Sequence, residues 1–308
     1  MNRFYSVTLE QNKSTVREGL ESLEKLYRKD FSYAVIVPRG SVDTFSDFLA
    51  NYNVKVVDES TILDFSRFKS LAKSVCTELS FKGFEIELDL ERLGWYYQQV
   101  LKLSYIVENS SSAPLTMIDA DTILLSKLPF FNGCHSNLFA TPYEKNRPYL
   151  QTMHSIFGNS LSFDKWTSTT CQINSLSPVE CKRLVEELYL YLPRYGDESM
   201  GEWIARIVLF SVASTHSCIG NSLISEQDFV GYFLRTRFKA FPRKLFFLRN
   251  GISGRLTKNQ LRFVKLMGVK HLTYEHWQIS DENLKIPWMR LCYIYCISLF
   301  DCVLTRRY

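Results

Sequence analysis

The amino-acid sequence predicts an α/β fold in which helices flank a mostly parallel, Rossmann-type sheet. Short β-prone runs alternate with amphipathic stretches over residues 1–60, and a further strand-like run, LTMI, lies at residues 115–118. The chain has 308 residues, of which 46% are hydrophobic. This composition excludes a disordered or collagen-like protein and is enough to bury a sizeable core.

The first part of the chain predicts a βαβαβ series. Its β-prone segments are residues 4–9, 33–37 and 54–57. Its amphipathic stretches, where apolar residues recur at helical spacing, are residues 15–28 and 41–51, and Ser41 can cap the second. Such a series is typical of a parallel sheet with helices on its faces.

The rest of the chain mixes helices with short strands. The lysine-rich stretch 65–80 predicts a connecting helix and loop. Further helices are predicted at the following positions: 88–107, 177–191, 199–213 and 226–235. Strand-like runs occupy residues 115–118, 122–128 and 269–274. The tail, residues 287–304, is mostly apolar and predicts a final helix.

Charge and cysteine usage limit the class of protein. Lys and Arg number 37 and Asp and Glu number 32, a formal net charge of +5 that is too small and too scattered to indicate nucleic-acid binding. The eight cysteines form no CxxC motif and are expected to be reduced core thiols. No signal peptide is visible, and no uncharged run reaches the length of about 20 residues that a membrane span needs. We therefore expect a cytoplasmic protein.

The motif MIDADTILL is the first candidate site. Asp119 and Asp121 follow an apolar strand and stand one residue apart, so they point to the same side of an extended chain. Ligands of open α/β sheets bind outside the carboxyl ends of the strands. Two carboxylates there suit Mg²⁺ or Mn²⁺ holding a diphosphate. A polar turn after a core strand is the alternative.

The predicted helix RLGWYYQQVLKL carries the second candidate site. Its polar and aromatic residues offer donors to phosphates and sugar hydroxyls, or else form a solvated face. They are Arg92, Trp95, Gln98, Gln99 and Lys102. Gly94 costs about 1 kcal/mol in a helix interior, and the close approach of a ligand or another helix would account for it.

These segments together resemble bacterial GT-A glycosyltransferases. The nearest group is the DUF6492-type group, which has a comparable GWY-QQ-LK helix, a D-x-D strand end and an S-E-x-x-x-G-x-F/Y segment. ISEQDFVGYF resembles the last of these, with four residues instead of three between Glu226 and Gly231. The resemblance covers roughly residues 1–280. It implies a GT-A-like fold with a nucleotide-sugar-binding half (1–130) and an acceptor-binding half (131–286). The C-terminal helix (287–308) is expected from the apolar tail itself.

The resemblance also implies residue roles. Asp119 resembles the DxD position nearest the ribose, and Asp121 resembles the metal ligand. Glu226 and Asp228 resemble the xED element of inverting enzymes, in which an acid at a helix N-terminus is the general base. Since Ser225 can cap this helix, acids in its first turn also have a purely structural explanation.

A histidine after this element often completes the metal site in such enzymes. His271 and His276 are the candidates. The alternatives are a polar residue on a half-buried strand for His271 and an edge aromatic pair with Trp277 for His276.

The activity implied is that of a metal-dependent, hexosyltransferase-like enzyme, inverting if the xED resemblance holds. It would move a sugar from a nucleoside-diphosphate sugar to a saccharide or lipid-linked acceptor in capsule or lipopolysaccharide synthesis. A nucleotidyl- or phosphotransferase also pairs carboxylates around a metal, although the sequence has no GxxxxGK motif. A non-catalytic sugar-binding protein on the same fold is the other alternative. The tail would be either an interfacial helix on the inner membrane or a helix packed on the core.

Overall fold

A computed structural model describes residues 1–140, 146–163, 168–245, 247–248, 255–274 and 286–304. Its strands are β1 (Asn2–Val7), β2 (Phe31–Val37), β3 (Val54–Asp58), β4 (Glu87–Leu88), β5 (Leu115–Ile118), β6 (Thr122–Leu124), β7 (Phe131–Asn132), β8 (His135–Ser136), β9 (Phe139–Ala140), β10 (Ile173–Leu176), β11 (Cys218–Ile219), β12 (Arg243–Lys244), β13 (Phe247–Leu248) and β14 (His271–Thr273). Its helices are α1 (Lys13–Tyr27), α2 (Val42–Phe48), α3 (Phe65–Phe81), α4 (Leu93–Asn109), α5 (Arg147–Phe157), α6 (Pro178–Tyr191), α7 (Met200–His216), α8 (Glu226–Arg237), α9 (Lys258–Leu266) and α10 (Trp288–Leu304).

The central sheet has five strands in the order β10–β5–β1–β2–β3. β1 pairs in parallel with both β2 and β5, and β2 pairs in parallel with β3. β10 runs antiparallel to β5 at one edge. The mostly parallel sheet predicted from the sequence is therefore confirmed.

Helices cover both faces of this sheet. Alternate residues of each strand therefore point into two different cores. On one face Tyr5 and Ile36 join the larger core, which includes residues of α3, α4, α7 and α8. On the other face Phe4 and Val35 pack with residues of α1 and α2. Burial on both faces explains why β2 reads FSYAVIV, with hydrophobic residues at successive positions.

A smaller sheet, β13–β14–β6, extends the fold beyond Asp121. β14 runs antiparallel to β6 and places Thr273 opposite Thr122, whose hydroxyl oxygens are 3.1 Å apart. A third core joins this sheet to α9 and α10. The late strand and the final helix expected from the sequence are both present.

The long helix predicted over residues 88–107 is wrong at its start. Glu87 and Leu88 instead form β4, which pairs in parallel with β11, and α4 begins at Leu93. The sequence pattern missed this because β11 lies about 130 residues further along the chain. Gly94 is correspondingly in the first turn of α4, and beyond the adjacent backbone of that helix no described atom lies within 4 Å of the position its Cβ would occupy. Close packing of another described helix therefore does not explain this glycine.

The C-terminal helix α10 is partly buried. Leu291 and Ile294 face the third core, whereas Met289 and Tyr293 are exposed. Across the described ranges, no helix combines the length and the apolar character that crossing a bilayer requires. Of the cysteines whose side chains are described, none forms a disulfide.

Gly201→Ala is expected to lower the free energy of unfolding by about 1–3 kcal/mol, as overpacking of a core does. A Cβ on Gly201 in α7 would lie 2.2 Å from the Ile62 carbonyl oxygen. Either α7 or the loop that carries Ile62 must therefore move. Urea unfolding measures the effect. Gly94→Ala is the matched control, since its added methyl group meets nothing and should leave stability unchanged or raised. Equal effects of the two substitutions would contradict the packing argument.

Candidate active site

A cleft of about 340 Å³ opens at the carboxyl end of β5. Residues of α4, the 119–121 turn, the 170–172 segment and the start of α8 line it. The lining residues are Trp95, Gln98, Gln99, Lys102, Asp119, Asp121, Tyr149, Thr170, Gln172, Ser225, Glu226, Gln227 and Thr273. The structure thus brings together most of the candidate residues from three separate parts of the sequence.

Backbone hydrogen bonds hold the turn that carries the two aspartates. The amide of Asp119 donates to the carbonyl of Gln172 at 2.9 Å, and the amide of Thr122 donates to the carbonyl of Asp119 at 3.0 Å. The carbonyl of Asp121 accepts from the amide of Tyr274 at 2.8 Å. These contacts fix both carboxylates at the cleft between the central sheet and the smaller sheet.

Lys102 links two acids of the cleft. Its Nζ lies 2.6 Å from Asp119 Oδ1 and 2.7 Å from Glu226 Oε1. The three side chains are only 11%, 19% and 4% exposed in the order Lys102, Asp119, Glu226. We call these three residues the Lys102 triad. Two carboxylates and one ammonium give it a formal charge of −1, and Asp121 adds a further negative charge to the same cleft.

Burial and charge act in opposite directions on the Lys102 triad. Burial lowers the pKa of Lys102, but the neighbouring Asp119 and Glu226 outweigh it and raise that pKa well above its ordinary value. Burial raises the pKa of Glu226, and Lys102 opposes the shift. The lysine therefore stays charged, while the cleft retains an excess negative charge that favours a cation or a proton.

Two glutamines complete the polar wall of the cleft. Gln227 Nε2 donates to Asp119 Oδ2 at 2.7 Å, and Gln99 Oε1 accepts from the amide of Glu226 at 3.2 Å. Gln227 Oε1 is buried, and no described group donates a hydrogen bond to it. The sequence did not single out Gln227 as a site residue. Its position between two acids at a helix start was the one signal available.

The structure does not bring Asp228 to the cleft. Its carboxylate is fully buried and accepts hydrogen bonds from the amide of Thr169 at 2.7 Å and from the hydroxyls of Ser168 and Thr170 at 3.2 and 3.0 Å. Asp228 thus anchors the 168–170 segment to α8. Of the two acids considered as the base, Glu226 is the one at the cleft.

Arg92 and His271 also lie outside the cleft lining. Arg92 Nη2 donates to Ser222 Oγ at 2.7 Å, and its guanidinium lies 5.6 Å from the ring centroid of Trp95. Arg92 is therefore placed to orient Trp95 rather than to contact a ligand in the cleft. His271 is fully buried on β14 opposite Leu124. His276 lies outside the described residues.

Asp228→Asn is expected to lower the free energy of unfolding by about 1–3 kcal/mol at neutral pH, because an amide nitrogen cannot accept these hydrogen bonds. Burial raises the pKa of Asp228 to about 6 in the folded protein. The unfolded value is about 3.9, so the folded wild type binds an extra proton between these values and gains stability as the pH falls through this window. The variant lacks this gain.

The stability difference between wild type and Asp228→Asn should consequently widen from about pH 7 to about pH 4.5. Urea unfolding of both proteins at each pH measures it. A difference that stays constant with pH would show that Asp228 does not titrate in this window.

Comparison by sequence finds no matching family model and no similar curated protein. Among solved structures, the galactosyltransferase LgtC in complex with donor and acceptor sugar analogs has a TM-score of 0.51 at 12% sequence identity, covering 96% of this chain and 95% of that chain. Mouse xyloside xylosyltransferase 1 in its apo form has a TM-score of 0.45 at 10% identity, covering 91% of this chain and 99% of that chain. The likeness to the galactosyltransferase confirms the GT-A-like fold.

Proposed function

We propose that this protein is a glycosyltransferase that moves a sugar from a nucleoside-diphosphate sugar to a hydroxyl group of an acceptor. One observation carries the proposal: in a GT-A-like fold, Asp119 and Asp121 share one cleft with polar residues of α4 and with the start of α8. Trp95 offers a flat surface for a base or sugar ring. Gln98, Gln99 and the buried Gln227 offer hydrogen bonds to hydroxyl groups.

The donor set fits a divalent cation that enters together with a diphosphate. Within the described ranges, no cluster of three or more His, Cys, Asp or Glu residues could hold a metal by itself. Mg²⁺ and similar ions, however, are usually bound by one or two carboxylates together with substrate phosphates. Asp121 would hold Mg²⁺ or Mn²⁺, Asp119 would support it, and His276 is the proposed third ligand. When bound, the ion would neutralise the leaving diphosphate.

Glu226 is the proposed general base. It lines the cleft, and burial raises its pKa, which makes the carboxylate a better proton acceptor near neutral pH. Lys102 holds one of its oxygens and so fixes its orientation. Removal of the acceptor proton by Glu226 in a single displacement would invert the anomeric centre.

The proposed acceptor is a saccharide or a lipid-linked saccharide of bacterial surface polysaccharide synthesis, such as capsule or lipopolysaccharide. This part rests on the resemblance to DUF6492-type enzymes. It is compatible with a protein that works at the cytoplasmic face of the inner membrane, where α10 would make a peripheral contact through exposed residues such as Met289 and Tyr293.

The test is a panel of UDP-, GDP-, dTDP- and CMP-sugars incubated with the protein and Mn²⁺, with release of the nucleotide followed by a phosphate-coupled assay. Turnover of one donor that is lost on Glu226→Gln supports the enzyme. Nuclear magnetic resonance of the product gives the anomeric configuration, and retention would remove Glu226 from the role of base. Tight donor binding without turnover would favour a sugar-binding protein instead.

A further inference from the structure

A second cavity, of about 370 Å³, lies away from the candidate active site, between α1, β6 and α9. Its floor is apolar and is formed by β6, by Leu125 after it, by Leu256 just before α9, and by Leu261, at which the α9 wall meets the floor. The floor residues are Ile123, Leu124, Leu125, Leu256 and Leu261. We call this cavity the α1–α9 groove.

The walls of the α1–α9 groove are two helix faces. Residues 18, 21, 22 and 25 of α1 line one wall, and residues 258, 261, 262 and 265 of α9 line the other. Both sets have the spacing i, i+3, i+4, i+7, which places residues along one face of a helix. The groove is therefore a continuous channel between two helices.

The charge of the α1–α9 groove is strongly positive on the α9 wall. That wall carries the side chains of Lys258, Arg262 and Lys265. None of the three forms an ion pair with any described residue. On the opposite wall Glu18 accepts from Arg255 at 3.2 Å. Glu21 accepts from the neutral hydroxyl of Tyr52 at 3.2 Å and keeps its charge, which Lys25 on the same wall offsets. The cations of α9 are thus available to an external anion.

An apolar floor beside a row of cations matches one kind of ligand. The floor can bury hydrocarbon, and the cations can bind phosphate oxygens. A volume near the lower end of the range for ligand cavities, about 300–1,000 Å³, fits one hydrocarbon chain rather than a whole multi-chain lipid. We propose that the α1–α9 groove binds an anionic membrane lipid, with one chain on the floor and the phosphate at the α9 cations.

The neighbouring surface favours a lipid within a bilayer over a free phosphate compound. α9 ends in Leu266, which is 86% exposed beside Lys265. Phe263 of α9 packs edge-on against Trp288 of α10, with ring centroids 5.6 Å apart, and the next residue, Met289, is 87% exposed. Exposed apolar and aromatic side chains interspersed with cations are typical of surfaces that lie in a membrane interface.

The first experiment tests chain and charge separately on the full-length protein. Decyl phosphate, below its micelle concentration, is expected to bind saturably and to raise the melting temperature, as a ligand of the native state does. Inorganic phosphate and the neutral decyl maltoside should each bind at least about tenfold more weakly. Shortening the alkyl phosphate should weaken binding by about fourfold for each methylene lost. The proposal would be overturned if inorganic phosphate or decyl maltoside bound as tightly as decyl phosphate and raised the melting temperature as much.

The second experiment locates the site. The double variant Arg262→Ala/Lys265→Ala should weaken binding of decyl phosphate by at least about tenfold. Leu261→Asn, a polar change in the floor, should do the same while leaving the α9 charges in place. The matched control is Lys55→Ala/Lys73→Ala, which removes two exposed lysines elsewhere and should bind as the wild type does. If both groove variants bound decyl phosphate as tightly as the wild type does, the ligand would lie elsewhere.

Vesicles identify the source of the ligand. The wild type should bind to vesicles of phosphatidylglycerol, and the Arg262→Ala/Lys265→Ala variant should not. Neither protein should bind to vesicles of phosphatidylcholine. Equal binding to both vesicle types would overturn a role for the lipid phosphate. A dimer that the same double variant dissociates in light scattering would assign the groove to a second copy of the chain and would also overturn the proposal.

Discussion

Asp121→Asn is expected to lower kcat/KM for the nucleoside-diphosphate sugar by about a thousandfold, or roughly 4 kcal/mol of transition-state stabilisation. The amide cannot neutralise a divalent cation, so the charge on the departing diphosphate would be left uncompensated. The shape of the side chain is retained, and the Asp121 carbonyl that accepts from Tyr274 is unaffected. Steady-state kinetics with and without Mn²⁺ measure the loss.

The control for this variant is Asp47→Asn, which removes one carboxylate from the exposed side of α2. It should retain wild-type kinetics, and thermal unfolding should show that both variants fold. Substituting His276 by Ala should raise the Mn²⁺ concentration needed for half-maximal activity, whereas His271→Ala should not. If Asp121→Asn were fully active at low Mn²⁺, the proposal that Asp121 holds a catalytic metal ion would be wrong.

Lys102→Met is expected to lower the free energy of unfolding by about 3–5 kcal/mol, the usual effect of removing one partner from a buried ion pair. The two carboxylates of the Lys102 triad would then share the cleft without their cation. Burial and Asp119 raise the pKa of Glu226, and the largest effect that opposes them comes from Lys102. Without Lys102 the folded variant would therefore take up a proton that the unfolded chain, with a Glu pKa of about 4.3, does not hold. Its stability should therefore recover as the pH falls toward about 4.

Urea unfolding at several pH values measures this recovery. Lys102→Arg keeps the charge and should lose much less stability at neutral pH. The double variant Lys102→Met/Glu226→Gln should be more stable than the sum of the two single effects predicts, because the second change removes a carboxylate that the first left unpaired. Simple additivity would show that Lys102 and Glu226 do not interact.

The fold was accessible from the sequence wherever a local pattern determined the structure. The buried run at β2 and the regular apolar spacing of α6 and α7 were placed within a few residues of their observed bounds. β4 was missed, because two residues form a strand only when the distant β11 lies beside them. Local propensity carries no information about such a partner.

The candidate site was accessible only as a set of residue types. The sequence indicated that Asp119 and Asp121 end a strand and that Lys102 lies on a helix, and the structure places all three at one cleft. It could not show that Lys102 bridges to Glu226, which is 124 residues away. It also could not distinguish Glu226 from Asp228, because only the packing of the 168–170 segment against α8 decides which acid is enclosed.

The Lys102 triad has a consequence for biosynthesis. Its lysine and first carboxylate lie in the first 119 residues, but the second carboxylate enters at residue 226. A nascent chain that has left the ribosome only through the central sheet therefore lacks one wall of the cleft and part of the charge balance that holds Asp119 in place. For the proposed glycosyltransferase, donor binding should begin only after translation has passed α8, so a truncated product would not consume activated sugar.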